Sequence, residues 1–216
     1  MPQLFHRSAN TLSRVSIFGA AFIVAGLLGM VGALERSAYA TGVGQPIAQP
    51  VQFSHAHHVG DEGLDCRYCH TTVEASAFAG FPTTATCMNC HSQIWANSPA
   101  LAPVRQSFES GQPIAWNRVY ELPDFAFFNH SVHVSAGFGC ETCHGRVDQM
   151  PLTWKATSLH MEWCLDCHRH PERYIRPREA VFALGYQPSE PQPTLGPRLV
   201  AEYGVVGPTG CSHCHH

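Results

Sequence analysis

Ten cysteines stand in this 216-residue chain, and each belongs to a Cys-x-x-Cys-His group. The groups are Cys66-Arg67-Tyr68-Cys69-His70, Cys87-Met88-Asn89-Cys90-His91, Cys140-Glu141-Thr142-Cys143-His144, Cys164-Leu165-Asp166-Cys167-His168 and Cys211-Ser212-His213-Cys214-His215. A disulfide framework needs no histidine beside its second cysteine. Zinc knuckles do not place one there every time. Covalent heme attachment needs all three residues, because two thioethers fix the porphyrin edge and the adjacent imidazole reaches the iron. The sequence therefore predicts five covalently bound hemes c, with His70, His91, His144, His168 and His215 as proximal iron ligands. No cysteine remains for a structural disulfide.

Each iron takes a sixth ligand unless its heme binds substrate, so the remaining histidines are informative. Phe53-Ser54-His55-Ala56-His57-His58 precedes the first two groups, and Phe128-Asn129-His130-Ser131-Val132-His133 precedes the third and fourth. Both read Phe-x-His-x-x-His. A three-residue spacing puts the two histidines on one face of a short helix, so one helix can serve two neighbouring irons. His55, His58, His130 and His133 are the expected distal ligands, the first of each pair serving the heme that follows it. His57 breaks the matched register and, with His170, His213 and His216, reads as a surface or packing histidine. His6 lies before an apolar segment. For the fifth iron Met161, three residues before Cys164, is preferred, with Met150 and His160 as alternatives. A thioether ligand would raise that heme's potential above a bis-histidine heme, although a lone methionine ordinarily packs in a core. No catalytic residue is expected.

The elements that must position these groups begin with an anchor. Residues 15–34 carry no formal charge and as a helix would span roughly 30 Å. Arg7 and Arg14 precede the run, whereas Glu35 and Arg36 cancel after it. The positive-inside rule then leaves the amino terminus in the cytoplasm and the rest on the periplasmic side of a bacterial inner membrane. Ala38-Tyr39-Ala40 would suit a signal peptidase, but the apolar run exceeds the roughly 7–15 residues of a signal core, and an uncleaved single-pass anchor in the lipid bilayer is the expectation. Ala21, Ala25, Gly29 and Ala33 form a small-residue stripe where another helix could approach.

Residues 41–216 allow roughly 35 residues for each attachment group, too few to enclose each cofactor in its own core. The hemes must form much of the core. The expected fold is that of a multiheme cytochrome c, one transmembrane helix plus a heme-cored domain of short helices and long irregular loops with little sheet. The chain divides into a cytoplasmic end (1–14), the anchor (15–34), a linker (35–49), a first diheme module (50–100), a connection (101–124), a second diheme module (125–170) and a strap with the fifth site (171–216). Prolines and glycine between residues 98 and 123 predict an irregular connection rather than a long helix. Seven prolines after His170 predict an extended, surface-hugging strap. A heme-free chain is not expected to fold.

Charged residues make up 13% of the chain and the net charge is -3, which provides no basic field for nucleic acid. Arg67, Arg146, Arg169, Arg173 and Arg176 lie near attachment groups and read equally as partners of heme propionates or as solvated arginines.

The repeated Phe-x-His-x-x-His before Cys-x-x-Cys-His is similar to the class III multiheme cytochromes, whose hemes are bis-histidine and closely stacked. The single anchor, the five groups, and the stretch from Pro113-Ile114 through Phe128-Asn129-His130-Ser131-Val132-His133 to Leu165-Asp166-Cys167-His168 resemble the pentaheme cytochrome c subunit of bacterial alternative complex III. That resemblance covers most of the chain. It implies an electron-transfer subunit, not itself an enzyme, in a membrane quinol:electron acceptor oxidoreductase of the respiratory chain. Its implied partners are integral membrane and iron-sulfur subunits, and a monoheme cytochrome c or soluble periplasmic acceptor. The alternative is a self-sufficient quinol dehydrogenase resembling the NapC and NrfH family, but about thirty residues separate Leu34 from Cys66 here, where that family crowds its first heme against the membrane. A multiheme reductase would call for a Cys-x-x-Cys-Lys variant of the pentaheme nitrite reductase kind, and none is present. A passive redox store would exchange electrons slowly with quinol and acceptor alike.

Overall fold

In the computed structural model, residues 4–215 are described, and the chain divides into two units, Met1–Val43 and Gly44–His216. The first unit is built on α1, Ala9–Glu35. This helix starts before residue 15 because the preceding polar residues satisfy themselves within it. Ser13 donates to the Asn10 carbonyl and Ser16 to that of Ser13, both at 3.0 Å. Its best 18-residue window has a mean hydropathy of 2.3, and none of that window is buried. Twenty-seven residues rise about 40 Å, so α1 is long and apolar enough to cross a membrane. A short turn of helix, α2 (Ala38–Thr41), follows; it is capped by Ser37 and closed by left-handed Gly42.

The second unit contains no β-strand among the described residues, and its extended segments meet only in isolated antiparallel bridges, Pro46 with Trp154, Ala126 with His215 and Phe138 with Ile175. Short helices follow one another, α3 (Cys66–Cys69), α4 (Thr84–His91), α5 (Ala102–Ser110), α6 (His130–Ser135), α7 (Cys140–His144), α8 (Met161–Arg169), α9 (Gln192–Tyr203) and α10 (Cys211–Cys214), and of these α3, α4, α7, α8 and α10 carry the attachment groups. Few hydrophobic side chains are fully buried: Val51, Val73, Val104, Met150, Ile175, Val181, Leu195 and Leu199. Large apolar groups such as Phe78, Phe81, Trp95, Phe125 and Phe127 remain exposed. For a chain this long the protein atoms alone make a small core among the described residues.

Two connections differ from the sequence expectation. The strap is not extended throughout, because Gln192–Tyr203 forms α9. Pro193 sits in the first turn, where a missing N–H costs nothing. Leu195 and Leu199, four apart, bury one face against Ile175, with Phe138, Val200, Tyr203 and Val205 around them. Pro197 is tolerated inside the helix, where the apolar stripe outweighs a lost backbone bond. The connection after Ser98 likewise holds a nine-residue helix, α5, which has Pro103 in its first turn and stops at left-handed Gly111.

Candidate heme-binding sites

The Cys-x-x-Cys-His spacing acquires its meaning on a helix. Positions i, i+3 and i+4 share one face, and each group begins or lies within a helical turn from α3 to α10. All ten cysteines are unpaired thiols. Burial and the neighbouring Cys87 push the Cys69 thiol up. Burial with Cys167 and Cys164 nearby raises Cys143 to about 12. Cys66 falls to about 7 because Cys140 hydrogen-bonds to its side chain, and Cys140 rises in return.

The Phe-x-His-x-x-His repeats adopt one local arrangement through different backbones. The second copy lies on α6, with the Asn129 side chain accepting from the Ser131 amide. The first copy is a π-helical turn, Ala56–Asp61, whose N-cap is His55. In each, the phenylalanine stacks on the second histidine and meets the first edge-on. Phe53 lies 4.4 Å from His58 at 22° and 4.9 Å from His55 at 85°. Phe128 lies 4.5 Å from His133 at 25° and 4.8 Å from His130 at 90°. The role of these rings was not anticipated, although phenylalanine as the first letter of both repeats is the signal that could have found it.

The repeats bring distal and proximal candidates together in pairs, one stacked at 12° and two edge-on at 68° and 61°. Ring centroids are 6.2 Å apart for His58 and His91, 6.3 Å for His130 and His144, and 6.1 Å for His133 and His168. Burial, then the charges of His70 and His58, lower His55 to about 4. His144 also falls to about 4, chiefly through burial and then through His130, His70 and His55. Burial lowers His133 as well. These rings are therefore held neutral, the form that binds metal.

Orientation comes from the other ring nitrogen. Nδ1 donates to a main-chain carbonyl in His58 (Ser54, 2.8 Å), His70 (Gly80, 2.7 Å), His91 (Ile94, 3.0 Å), His130 (Ala77, 2.7 Å), His133 (Asn129, 2.7 Å), His168 (Pro208, 2.8 Å) and His215 (Phe125, 3.3 Å). His55 Nδ1 meets the Thr153 hydroxyl at 2.9 Å. A proton committed at Nδ1 leaves the Nε2 lone pair for a metal. His144 packs 4.5 Å from Tyr120, whose hydroxyl donates to the Cys143 carbonyl at 3.0 Å and accepts from the Ala156 amide at 2.7 Å. Nothing in the local sequence marks Tyr120. His57, by contrast, is exposed and meets the Asp61 carboxylate at 3.4 Å.

The fifth site is assembled from distant chain. The Phe127 amide donates to the Cys214 carbonyl at 2.7 Å, and His215 bridges Ala126. Met161 opens α8 and is 63% exposed, whereas Met150 is 2% exposed and fully packed. His160 is the N-cap of α8. The arginines mostly hold acids: Arg67 with Asp65 at 2.8 Å, Arg146 with Asp148, Arg173 with Asp166 at 3.6 Å. Arg169 is exposed. Arg176 is buried against Glu141 at 2.9 Å and its Nε has no hydrogen-bond partner.

Attachment groups on helices, imidazoles oriented through Nδ1, and a second unit without a β-strand among the described residues suit covalent attachment of heme c. No family model matches the chain. It is 40% identical over 97 residues to the menaquinone reductase, multiheme cytochrome c subunit, of Nitratidesulfovibrio vulgaris strain Hildenborough. The matched stretch is 44% of this chain and 45% of that protein, so the similarity spans less than half of either.

Proposed function

We propose that the chain carries five hemes c as the electron-transfer subunit of a membrane quinol:electron acceptor oxidoreductase of the alternative complex III kind. It relays electrons from quinol oxidation toward a monoheme cytochrome c or another periplasmic acceptor. The observation that carries this reading is the spacing of the paired imidazoles, 6.1 to 6.3 Å in three pairs. Two imidazoles on opposite faces of one metal, each bonded at about 2 Å, set their ring centroids roughly 6 Å apart. His58 with His91, His130 with His144 and His133 with His168 fit one iron each, and His55 with His70 makes the fourth pair. Heme bound by these residues would supply a one-electron carrier, with a histidine pair holding each of these irons. The chain's own residues would attach the porphyrin through Cys66, Cys69, Cys87, Cys90, Cys140, Cys143, Cys164, Cys167, Cys211 and Cys214, and hydrogen bonds at Nδ1 aim the imidazoles.

For the fifth iron, opposite His215, Met161 is the distal ligand of choice. Its side chain is accessible, while Met150 is enclosed by protein and has no free approach to an external group. Met161→Leu should abolish the methionine-to-iron near-infrared band and lower the potential of one heme, as read in a redox titration. An unchanged near-infrared spectrum would refute the assignment.

In this reading α1 anchors the subunit, Arg7 and Arg14 hold its amino terminus on the cytoplasmic side, and integral membrane and iron-sulfur subunits complete the assembly. The name of the similar Nitratidesulfovibrio protein favours a second reading, with electrons delivered to menaquinone rather than taken from quinol. Reduction of the hemes by a quinol analogue should be fast in the intact membrane assembly and slow for the isolated subunit in mild detergent. Fast reduction of the isolated subunit would replace the proposal with a self-sufficient NapC or NrfH type dehydrogenase. An assembly that passes electrons readily from prereduced hemes to menaquinone, and not from quinol to the hemes, would favour the second reading.

A further inference from the structure

The order of the attachment groups along the chain is not their order in space. We infer that the five hemes form one unbranched row, running Cys87/Cys90, Cys66/Cys69, Cys140/Cys143, Cys164/Cys167, Cys211/Cys214, with its two ports at the second and fifth groups. This rests on the five-heme reading above and adds a path to it.

The centre of the row is where the two repeats exchange supports. The first histidine of the first repeat, His55, takes its Nδ1 partner from Thr153, beyond the third group. The first histidine of the second repeat, His130, takes its partner from the Ala77 carbonyl, beyond the first group, and its amide donates to the same carbonyl at 3.2 Å. The Ala56 amide donates to the Met150 carbonyl at 3.0 Å, and a Cβ on Gly60 would stand 2.4 Å from the Asp148 carbonyl oxygen. The first and third groups are consequently held against one another. The Arg67 guanidinium, inside the first group, lies 4.4 Å over the Phe182 ring. The neighbouring Val181 carbonyl accepts from the amide of Cys140 at 3.1 Å.

From that centre each module leads outward. The Asn89 side-chain amide of the second group donates to the Tyr68 hydroxyl of the first at 3.0 Å. On the other side, one helix, α6, aims His130 at His144 and His133 at His168. The fifth group then follows the fourth. Pro208 holds His168 through its carbonyl, and a Cβ on Gly207 would stand 1.8 Å from the His168 carbonyl oxygen. Accessibility agrees with the ends assigned: of the ten cysteines, Cys90 in the second group and Cys211 in the fifth are the exposed ones.

The first test is the position of the irons in a cryo-electron microscopy map of the heme-loaded subunit in its membrane assembly. The expected neighbours are those of the row, with the irons at His91 and His215 farthest apart. Five irons in another order, or a branched arrangement, would overturn the inference and leave the five-heme reading intact. Fewer than five would overturn both. A second test uses electron flow in the holoprotein. Ser92 is exposed and follows the second group; Ser92→Cys introduces a thiol to which a photoreductant can be attached. Under continuous illumination with a sacrificial donor, at a dilution that prevents exchange between molecules, all five hemes should bleach. Adding Cys140→Ala with Cys143→Ala should confine reduction to two of the remaining four hemes, whereas Cys211→Ala with Cys214→Ala should leave all remaining four reducible. Full reduction without the third group would refute the row. If the chain lacking that group does not accumulate, the iron map decides by itself.

Discussion

Expressed without heme attachment, the full chain in detergent should retain α1 and lose the fold of its second unit. The protein part of the core in that unit is small, and its principal buried cluster, Ile175 with Leu195 and Leu199, ties only the strap to its neighbours. A folded domain is stable by only about 5–15 kcal/mol, the difference between burial and a chain-entropy cost of roughly 1–2 kcal/mol per residue. Removing the apolar cofactors removes the surfaces against which Phe78, Phe81, Trp95, Phe125 and Phe127 would pack, and these are exposed when only protein atoms are counted. The paired imidazoles would also lose the metal that offsets their burial. The expected result is rapid proteolysis of residues 44–216 and collapsed amide dispersion by nuclear magnetic resonance, with helical signal confined to an amount α1 can account for. A cooperative thermal transition of the heme-free second unit would show that the protein core suffices.

Gly207→Ala should damage the fourth site although residue 207 belongs to neither its attachment group nor its ligands. The added Cβ would stand 1.8 Å from the His168 carbonyl oxygen and 2.7 Å from its carbonyl carbon. Both are main-chain atoms, so no side-chain rotation relieves the clash. The strand of chain carrying Pro208 must retreat, and Pro208 is the group that accepts from His168 Nδ1 at 2.8 Å. Overpacking of this kind costs about 1–3 kcal/mol and occasionally more. Because the retreat also frees the imidazole from its orienting bond, the electron paramagnetic resonance signal and potential of the fourth heme should change together with the melting temperature. Gly204→Ala is the control. Gly204 adopts φ +63° at the end of α9 with open space around it, so alanine there costs about 1–2 kcal/mol of left-handed strain and should leave that heme's spectrum unaltered. Equal spectral effects from the two substitutions would mean that the fourth site responds to general loosening rather than to the Pro208 contact.

The sequence by itself determined what is local. The Cys-x-x-Cys-His groups, the three-residue spacing within each Phe-x-His-x-x-His, and the uncharged run of α1 all act over a turn or two of helix, or along one helix, and can be read from spacing and residue type. Only the tertiary structure decided what depends on contacts between distant residues. That Thr153 supports His55 while Ala77 supports His130 follows from the packing of one module against the other. Met150 and Met161 are the same residue type, and burial separates them because one lies against the π-helical turn and the other opens α8 at the surface. The strap read as extended from its prolines, yet Leu195 and Leu199 found Ile175, and the gain from burying that stripe exceeded the local preference against helix. The order of the attachment sites is the clearest case. Chain order follows covalent bonds, but nearness follows packing, and packing puts the first and third groups together at the centre.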